Sequence, residues 1–390
     1  MTTILISGGG RMGHLLVALL SQREDVQILW HTRRAAEIRR NMPQEGITMV
    51  SDGQALCSGR PAIVTDDITE VAGKADVIIF TQTANGRPEA VRRAASVIRR
   101  DRPVFIGAIP GCGGFDWLVG KEIGRDPNIV VWALRGVPAT SPKMDTGRSV
   151  ILGGFKDKLY LGFGQDVPLG LREEGAALVA HLFPQPTEML SHFLEMTLSP
   201  LGFIHPSVLY ARMGPYSQWD GKPFTEQVRW WADLTELAAY FLERCDAEQQ
   251  RLIHAIEGAL GLELKGAGTL HGKVVDQYRS LIADPRTMLS TFRTCSAFQS
   301  RIPMIEAQGG GYLFKMDHPG VREDLYYGMA FLLELGRRLG VEMPYMTEIY
   351  AWTVEFLGGP EASALEYLPE HWPPSRPIAQ LRNEETTRFV

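Results

Sequence analysis

Three glycines near the N-terminus have the spacing of a dinucleotide-binding turn. Gly8, Gly10 and Gly13 fit the pattern G-x-G-x-x-G in "ILISGGGRMGHLL" (residues 4–16), between a short apolar run and a run with helical spacing. Gly8 permits the tight turn, Gly10 lets the backbone approach a pyrophosphate, and Gly13 lets the helix pack closely. The helix N-terminus offers free N–H groups and partial positive charge to that anion. A glycine-rich turn without a ligand is the alternative. The residues predicted to bind the dinucleotide here are Gly8, Gly10, Arg11, Met12 and Gly13.

The end of the second predicted strand indicates which dinucleotide is bound. The stretch "WHTRR" contains Thr32, Arg33 and Arg34 but no carboxylate, whereas an NAD site usually places Asp or Glu there for the ribose 2′-hydroxyl. Arginine makes forked, charge-assisted bonds to phosphate oxygens, which suits a 2′-phosphate. These three residues therefore favour NADP(H) over NAD(H), and the predicted chemistry is hydride transfer. A solvated basic start to the next helix is the alternative.

Strand and helix signals alternate through the first half of the chain. Continuous apolar runs such as "ADVIIFTQ" are typical of strands buried on both faces. Strands separated by helices imply βαβ units and a parallel sheet. The predicted strands cover residues 3–7, 26–31, 75–82, 103–109 and 128–134, and residues 148–164 are expected to extend or cap the sheet.

From about residue 186 the pattern becomes helical. The segments 187–204, 227–260 and 321–340 all have helical periodicity, and no convincing alternating strand is found. The predicted fold class is α/β plus all-α. A Rossmann-type NADP-binding domain (1–186) is followed by a mostly helical domain (187–390).

Composition limits the classes of function. The chain has 390 residues with 45% hydrophobic and 22% charged residues and a formal net charge of −5, which does not favour a nucleic-acid partner. No apolar stretch of membrane-spanning length and no signal peptide are found, so no membrane partner and a cytoplasmic location are expected. The four cysteines lie far apart, with no metal-ligand spacing, so no metal site is predicted. The Pro-rich and then polar stretch at 371–390 is predicted to be a loosely held tail.

Two segments of the second half carry a family resemblance. "HFLEMTLSPLGFIHPSVLYARMGPYSQWDGKPF" (192–224) and "GVREDLYYGMAFLLELGRRLGVEMPYMTEIYAW" (320–352) resemble stretches of the octopine/nopaline (opine) dehydrogenase family. The H-P pair and the W-D-G-K-P cluster are the most specific parts. In the first half, "ADVIIFTQTANG" and "VFIGAIPGCGGFDW" match the family's strands and glycine-bearing loop, so the resemblance covers most of the chain.

The resemblance implies an enzyme that joins the amine of an amino acid to a 2-oxo acid, usually pyruvate. Loss of water gives an imine, and hydride reduction gives a secondary amine with two carboxylates. The family's fold is a Rossmann domain plus a helical domain, with the substrates in the cleft between them. Two alternatives remain, a ketopantoate-reductase-like enzyme that reduces an oxo acid without an amine, and a non-catalytic NADP(H)-binding sensor. A homodimer is kept as one option for the assembly.

Two residues match the family's catalytic pair. The resemblance implies that His205 takes a proton from the ammonium and returns one to the departing hydroxyl, a role that suits a group titrating near neutrality. Asp324 would orient the imidazole; the alternative is that Asp324 only favours the positive end of a helix. Because Pro206 disfavours helical geometry at the residue before it and can start a helix, His205 is expected at a helix entrance.

Further residues are candidates for substrate binding, although a structural turn is the favoured interpretation of Trp219 and its neighbours. Arg135 stands where arginine-using relatives carry an acidic side chain, so free arginine is expected to be a poor substrate. The family's further arginine upstream of E-D is absent, since Pro319 falls there, and which residue holds the oxo-acid carboxylate is left open. The candidates are Cys112, Arg135, Tyr210, Arg212 and Trp219.

Overall fold

The computed structural model describes residues 1–199 and 201–374, and the chain divides into two units. The first unit comprises Met1–Gly111 and Leu118–Met196. The second comprises Cys112–Trp117 and the described residues from Thr197 onward. Most of the predicted C-terminal tail, residues 375–390, lies outside the described residues.

A largely parallel sheet of eight strands organises the first unit. Its order is β5-β2-β1-β6-β7-β8-β13-β14, and only the β8–β13 pair is antiparallel. The predicted α/β fold class is therefore confirmed. The strands of this unit are β1 (Thr2–Ser7), β2 (Val26–His31), β3 (Ile47–Ser51), β4 (Gln54–Gly59), β5 (Ile63–Thr65), β6 (Val77–Phe80), β7 (Val104–Ala108), β8 (Ile129–Leu134), β9 (Ala139–Thr140), β10 (Met144–Asp145), β11 (Ser149–Ile151), β12 (Gly154–Phe155), β13 (Leu159–Phe163) and β14 (Thr187–Met189).

Strand β1 lies where the order of the sheet reverses. Leu5 is paired with Leu29 of β2 on one side and with Ile78 of β6 on the other, and all three are buried. Because the chain leaves β1 toward β2 and later returns to its other side, a crevice opens at the carboxyl end of β1. The glycine turn follows β1 directly and therefore lies at this crevice.

Some strands differ from the sequence-based expectation. A hairpin of β3 and β4, with Asp52 (φ 49°) and Gly53 (φ 78°) at its turn, was not predicted, although Asp-Gly is a strong hairpin signal. It joins β10 and β11 in a separate four-stranded sheet. Strand β14 pairs with β13, so the first unit continues past residue 186, the predicted boundary, to Met196.

The second unit is mainly helical, as predicted. A π-helical segment, Glu323–Met329, interrupts the helical run between α11 and α12. The helices of both units, within the described residues, are α1 (Arg11–Leu20), α2 (Ala35–Asn41), α3 (Arg87–Ala95), α4 (Phe115–Glu122), α5 (Leu169–Leu182), α6 (Leu194–Thr197), α7 (Leu201–Met213), α8 (Glu236–Leu260), α9 (Leu270–Tyr278), α10 (Met288–Thr294), α11 (Pro319–Arg322), α12 (Ala330–Leu339) and α13 (Pro344–Phe356).

Two details of the second unit correct the sequence analysis. The helix expected over 227–260 begins only at Glu236, because the Thr235 side chain accepts a hydrogen bond from the Ala238 N–H and caps the helix there. A short hairpin, β15 (Met304–Glu306) with β16 (Tyr312–Phe314), is present where no strand was expected. Within the described ranges, no helix has both the length and the apolar character needed to cross a bilayer.

Candidate functional site

The glycine turn after β1 leaves its helix N-terminus open. A Cβ on Gly13 would lie 2.0 Å from the Gly8 carbonyl oxygen, and Gly8 itself has φ +138°. Any side chain at these two positions would disrupt the turn. A Cβ on Gly10 would meet no described atom within 4 Å. Because Gly10 is the N-cap of α1 and the first turn of α1 contains no acidic residue, the amides there are available to an anion.

Two side chains that the sequence analysis missed hold the carbonyl groups of this turn. Trp30 Nε1 donates to the Gly8 carbonyl at 2.8 Å, and His14 Nδ1 lies 2.9 Å from the Gly10 carbonyl. The Gly147 N–H donates to His14 Nε2 at 2.9 Å, so the proton of a neutral imidazole lies on Nδ1. Burial lowers the pKa of His14 and supports this neutral form. The turn's carbonyls are thus drawn into the protein, which leaves its amides for a ligand.

The two arginines at the end of β2 are not equivalent. Arg34 donates to Glu37 at 2.9 Å and also to the Thr146 hydroxyl. Arg33 is exposed and makes no hydrogen bond or ion pair with any described residue. Thr32 is buried, and its hydroxyl accepts from the Arg34 N–H at 3.2 Å. Of the predicted pair, Arg33 is therefore the arginine that is available to a phosphate.

The remaining side chains of this edge are internally bonded. His31 Nδ1 lies 2.8 Å from Ser7 Oγ, and Gln82 Nε2 donates to the same oxygen at 2.7 Å. Burial lowers the pKa of His31 to about 4, and the nearby Arg93 adds to this effect. Arg11 donates to the Ser141 carbonyl at 3.1 Å.

In the second unit, α7 and the π-helical segment approach at two glycines. A Cβ on Gly202 would lie 2.8 Å from Gly328 Cα, and one on Gly328 would lie 2.2 Å from Gly202 Cα. His205 lies one helical turn after Gly202, and Asp324 lies one turn before Gly328. This backbone approach brings His205 Nδ1 to 2.7 Å from Asp324 Oδ2. The π-helix, a rare form often found at functional sites, contributes Asp324 to this pair.

The surroundings of the pair suit proton transfer. The His205 ring packs 4.5 Å from the Trp230 ring and 5.3 Å from the Trp231 ring, measured between centroids. Side-chain exposure is 27% for His205 and 9% for Asp324. Burial raises the pKa of Asp324, while the His205 contact opposes this shift. Nδ1 is bonded to the carboxylate, and Nε2 makes no hydrogen bond to any described residue, so it can serve a substrate.

The expected location of His205 at a helix entrance is wrong. Helix α7 begins at Leu201 and continues through Pro206. Proline in a helix removes one i→i−4 bond, and the His205 N–H donates to Asp324 Oδ2 at 3.5 Å. The side chain of His205 therefore projects from within α7, one turn from its start.

Two of the predicted substrate residues have their polar atoms occupied within the second unit. Tyr210 is fully buried, and its hydroxyl donates to Glu348. Burial and Glu348 together raise the pKa of Tyr210. Trp219 Nε1 donates to the Lys222 carbonyl at 2.8 Å, across a turn whose Gly221 has φ +84°. The geometry of Trp219 matches the structural turn favoured from the sequence.

The glycine-bearing loop that contains Cys112 is tightly held in the second unit. Gly113 and Gly114 have φ +76° and +66°, and the Tyr367 hydroxyl donates to the Gly113 carbonyl at 2.8 Å. A Cβ on Gly114 would lie 3.0 Å from the Trp117 ring. Cys112 itself is half-buried.

Arg135 lies at the carboxyl end of β8, beside a second cation that the sequence analysis missed. Both Arg135 and Lys156 are buried, and Arg135 Cζ lies 3.7 Å from the centroid of the Tyr160 ring. Burial, together with the charge of Arg135, lowers the pKa of Lys156 to about 7. No local sequence motif indicates Lys156, because only the folded structure brings it close to Arg135.

Arg212 has unused hydrogen-bonding capacity. Its Nη2 donates to the Asp233 carbonyl at 2.6 Å, and its Nε is buried without a hydrogen-bond partner among residues 1–199 and 201–374. Burial lowers the pKa of Arg212, while the negative charge of Asp233 raises it. The Asp233 carboxylate itself is bonded to Arg229, with Nη2 at 2.8 Å.

Comparison with known proteins gives consistent matches. Residues 189–357 match the family described as "NAD/NADP octopine/nopaline dehydrogenase, alpha-helical domain". The chain is 32% identical over 375 residues to the uncharacterized protein y4xO of Sinorhizobium fredii, covering 95% of this chain and 99% of that one. It is 23% identical over 364 residues to octopine dehydrogenase of Pecten maximus, covering 91% and 90%. A structure of octopine dehydrogenase with NADH and L-arginine superposes with a TM-score of 0.77, at 22% identity, covering 92% and 90%.

A dinucleotide turn on a Rossmann-type sheet, followed by a helical unit with a histidine–carboxylate pair, defines an oxidoreductase that uses a pyridine nucleotide. Within that class, the chain belongs to the octopine/nopaline dehydrogenase family, whose enzymes act on CH–NH bonds. The family resemblance found in the sequence is therefore confirmed.

Proposed function

We propose that this protein is an opine dehydrogenase that uses NADPH to join the amine of an amino acid to a 2-oxo acid. The product is a secondary amine with two carboxylates. The observation that carries the proposal is the His205–Asp324 pair, with Nδ1 2.7 Å from the carboxylate and Nε2 unbonded to any described residue.

His205 would act first as a base and then as an acid. Its Nε2 takes a proton from the substrate ammonium, so that the free amine can attack the carbonyl carbon. During the attack, a second proton moves from the amine nitrogen to the carbonyl oxygen, which becomes the carbinolamine hydroxyl. Nε2 then returns its proton to this hydroxyl, which leaves as water. One proton taken and one returned balance the condensation, and histidine titrates in the range that both steps need.

Asp324 would act by orienting His205. A carboxylate bonded to Nδ1 keeps the single ring proton of neutral histidine on Nδ1, so Nε2 has a free lone pair. It also stabilises the imidazolium formed after proton uptake. Trp230 and Trp231 cover the ring and restrict its motion.

The turn after β1 fits a dinucleotide. The open position at Gly10 and the uncapped amides of α1 would hold the diphosphate. Exposed Arg33 would bind a 2′-phosphate, with Thr32 beside it and Arg34 contributing less because Glu37 engages it. When bound, the reduced nicotinamide supplies hydride to the imine carbon.

A matrix of substrates tests the proposal. NADPH oxidation would be followed with single amino acids and pyruvate, 2-oxoglutarate or glyoxylate, with amine-free controls. The expected result is oxidation that requires both substrates, with a product whose mass equals their sum, less water, plus two hydrogens. Oxidation by the oxo acid alone would indicate direct reduction of the ketone. Tight NADPH binding without any oxidation would indicate a sensor.

A further inference from the structure

Arg212 lies on the same face of α7 as His205. Seven residues of α-helix rise about 10.5 Å and rotate about 700°, so the two side chains leave the axis only about 20° apart. Side chains on a helix lean toward its N-terminus, a direction that leads from Arg212 toward the turn of α7 that carries His205.

One short segment covers both side chains. The ring of Trp230 lies 4.5 Å from the His205 ring, and the Asp233 carbonyl accepts from Arg212 Nη2 at 2.6 Å. The Leu234 N–H closes a turn on the Trp231 carbonyl at 3.0 Å. His205 and Arg212 therefore face the same stretch, 230–234.

Most donors of Arg212 are unused. A guanidinium has five N–H donors, and only the bond to Asp233 is made to a described residue. Nε is buried without a partner among the described residues, and a buried charged donor is stabilised when an acceptor, from a ligand or an ordered water, bonds to it. The Asp233 carboxylate does not fill this role, because it accepts from the Arg229 N–H and guanidinium, both at 2.8 Å.

We propose that Arg212 binds the carboxylate of the 2-oxo acid and thereby determines specificity for that substrate. The inference rests on the proposed function. In a 2-oxo acid the carboxylate is attached to the carbonyl carbon, so an arginine fork that holds the carboxylate can present the carbonyl oxygen to His205. Forked, charge-assisted bonds suit a carboxylate and discriminate against neutral analogues.

Steady-state kinetics of Arg212→Gln test this assignment. The KM for pyruvate should rise about 10- to 150-fold, the effect of losing a hydrogen bond between charged groups. The KM values for the amino acid and NADPH should change little. Arg244→Gln is the matched control, because Arg244 is an exposed arginine of the second unit that lies over the Tyr240 ring, and it should behave as the wild type.

A neutral substrate analogue separates binding from a merely structural effect. The wild type should strongly prefer pyruvate to pyruvamide in kcat/KM, and Arg212→Gln should lose most of that preference. Arg212→Lys should fall between the two, because it keeps the charge but not the fork. If Arg212→Gln does not fold, Arg212→Lys decides, and an unchanged pyruvate preference in it counts against the inference.

The inference and the proposed function can fail separately. If the wild type condenses amines with oxo acids but Arg212→Gln keeps its pyruvate KM and its preference over pyruvamide, the assignment of Arg212 is wrong. A rise confined to the KM of the amino acid also overturns it, since Arg212 would then bind the other carboxylate. Absence of amine-dependent oxidation in the wild type instead refutes the proposed function.

Discussion

Replacing Asp324 with asparagine removes a charge from the His205 pair with little change in shape. The amide and the carboxylate have nearly the same size, so the packing of the π-helical segment against α7 at Gly328 and Gly202 should persist. The contact at Nδ1, 2.7 Å in the wild type, then involves a neutral partner that cannot stabilise an imidazolium equally well.

The expected loss follows from that contact. At an effective dielectric constant of about 20, unit charges about 3 Å apart interact with about 5.5 kcal/mol. Desolvation of Asp324, which raises its pKa, offsets part of this energy. The net value of a hydrogen bond to a charged group is about 1.5–3 kcal/mol, so kcat should fall about 10- to 150-fold.

Stability should respond differently from activity. Because burial already disfavours the ionised carboxylate of Asp324, the asparagine variant should have a Tm equal to or above that of the wild type. A loss of kcat with an unchanged Tm is what a positioning role predicts.

The assay compares kcat, Tm and NADPH affinity among the wild type, Asp324→Asn, His205→Ala and the double variant. His205→Ala should lose about 10²- to 10⁴-fold in kcat. The double variant should lose less than the product of the two single effects, because the residues would act as a unit. Near-normal kcat in Asp324→Asn, or a lower Tm in proportion to the lost activity, would refute the reasoning.

Three further predictions concern the first unit. Arg33→Gln should reduce the preference for NADPH over NADH in kcat/KM by about 10-fold or more, and Arg34→Gln should have a smaller effect because Glu37 already engages Arg34; a wild type that prefers NADH contradicts this. His31 has a folded-state pKa of about 4, so only the unfolded state takes up its proton as the pH falls from about 6.5 to 4. The free energy of unfolding should then decrease by up to about 3 kcal/mol. In urea denaturation, the free energy of unfolding of His31→Gln should lack this part of the pH dependence. If the wild type and the variant have the same pH profile, His31 does not cause the decrease. Arginine should be a poorer amine donor than alanine or glutamate in kcat/KM, because an Arg135 that faces the amine substrate would repel its guanidinium. Arg135→Glu should then raise the relative activity with arginine; if arginine is the best of the three donors, Arg135 does not face the amine.

Local patterns in the sequence determined the class of fold. The G-x-G-x-x-G turn could be predicted from the sequence alone, because its glycines are required by local geometry. Gly8 has φ +138°, and Gly13 closely approaches the Gly8 carbonyl. The alternation of strands and helices is likewise visible along the chain, because both periodicities arise between near neighbours. The prediction failed where a local signal allowed more than one structure. Pro206 was expected to start a helix, but helix α7 begins at Leu201 and includes it.

Only the tertiary structure decided which side chains meet. His205 and Asp324 are 119 residues apart, and their contact depends on the approach of Gly202 to Gly328. Arg33 and Arg34 are equivalent in the sequence, but Thr146, distant along the chain, engages only Arg34.

The sequence by itself thus determined the dinucleotide turn, the order of strands and helices and, through the family resemblance, the candidate catalytic pair. The folded chain decided the roles of His14 and Trp30 beneath the turn, the proximity of Lys156 to Arg135, and the unbonded Nε of Arg212. The physical reason is the range of the interactions. Backbone conformation and periodicity depend on neighbours in the chain, whereas hydrogen-bond partners, burial and pKa shifts depend on residues that only folding brings together.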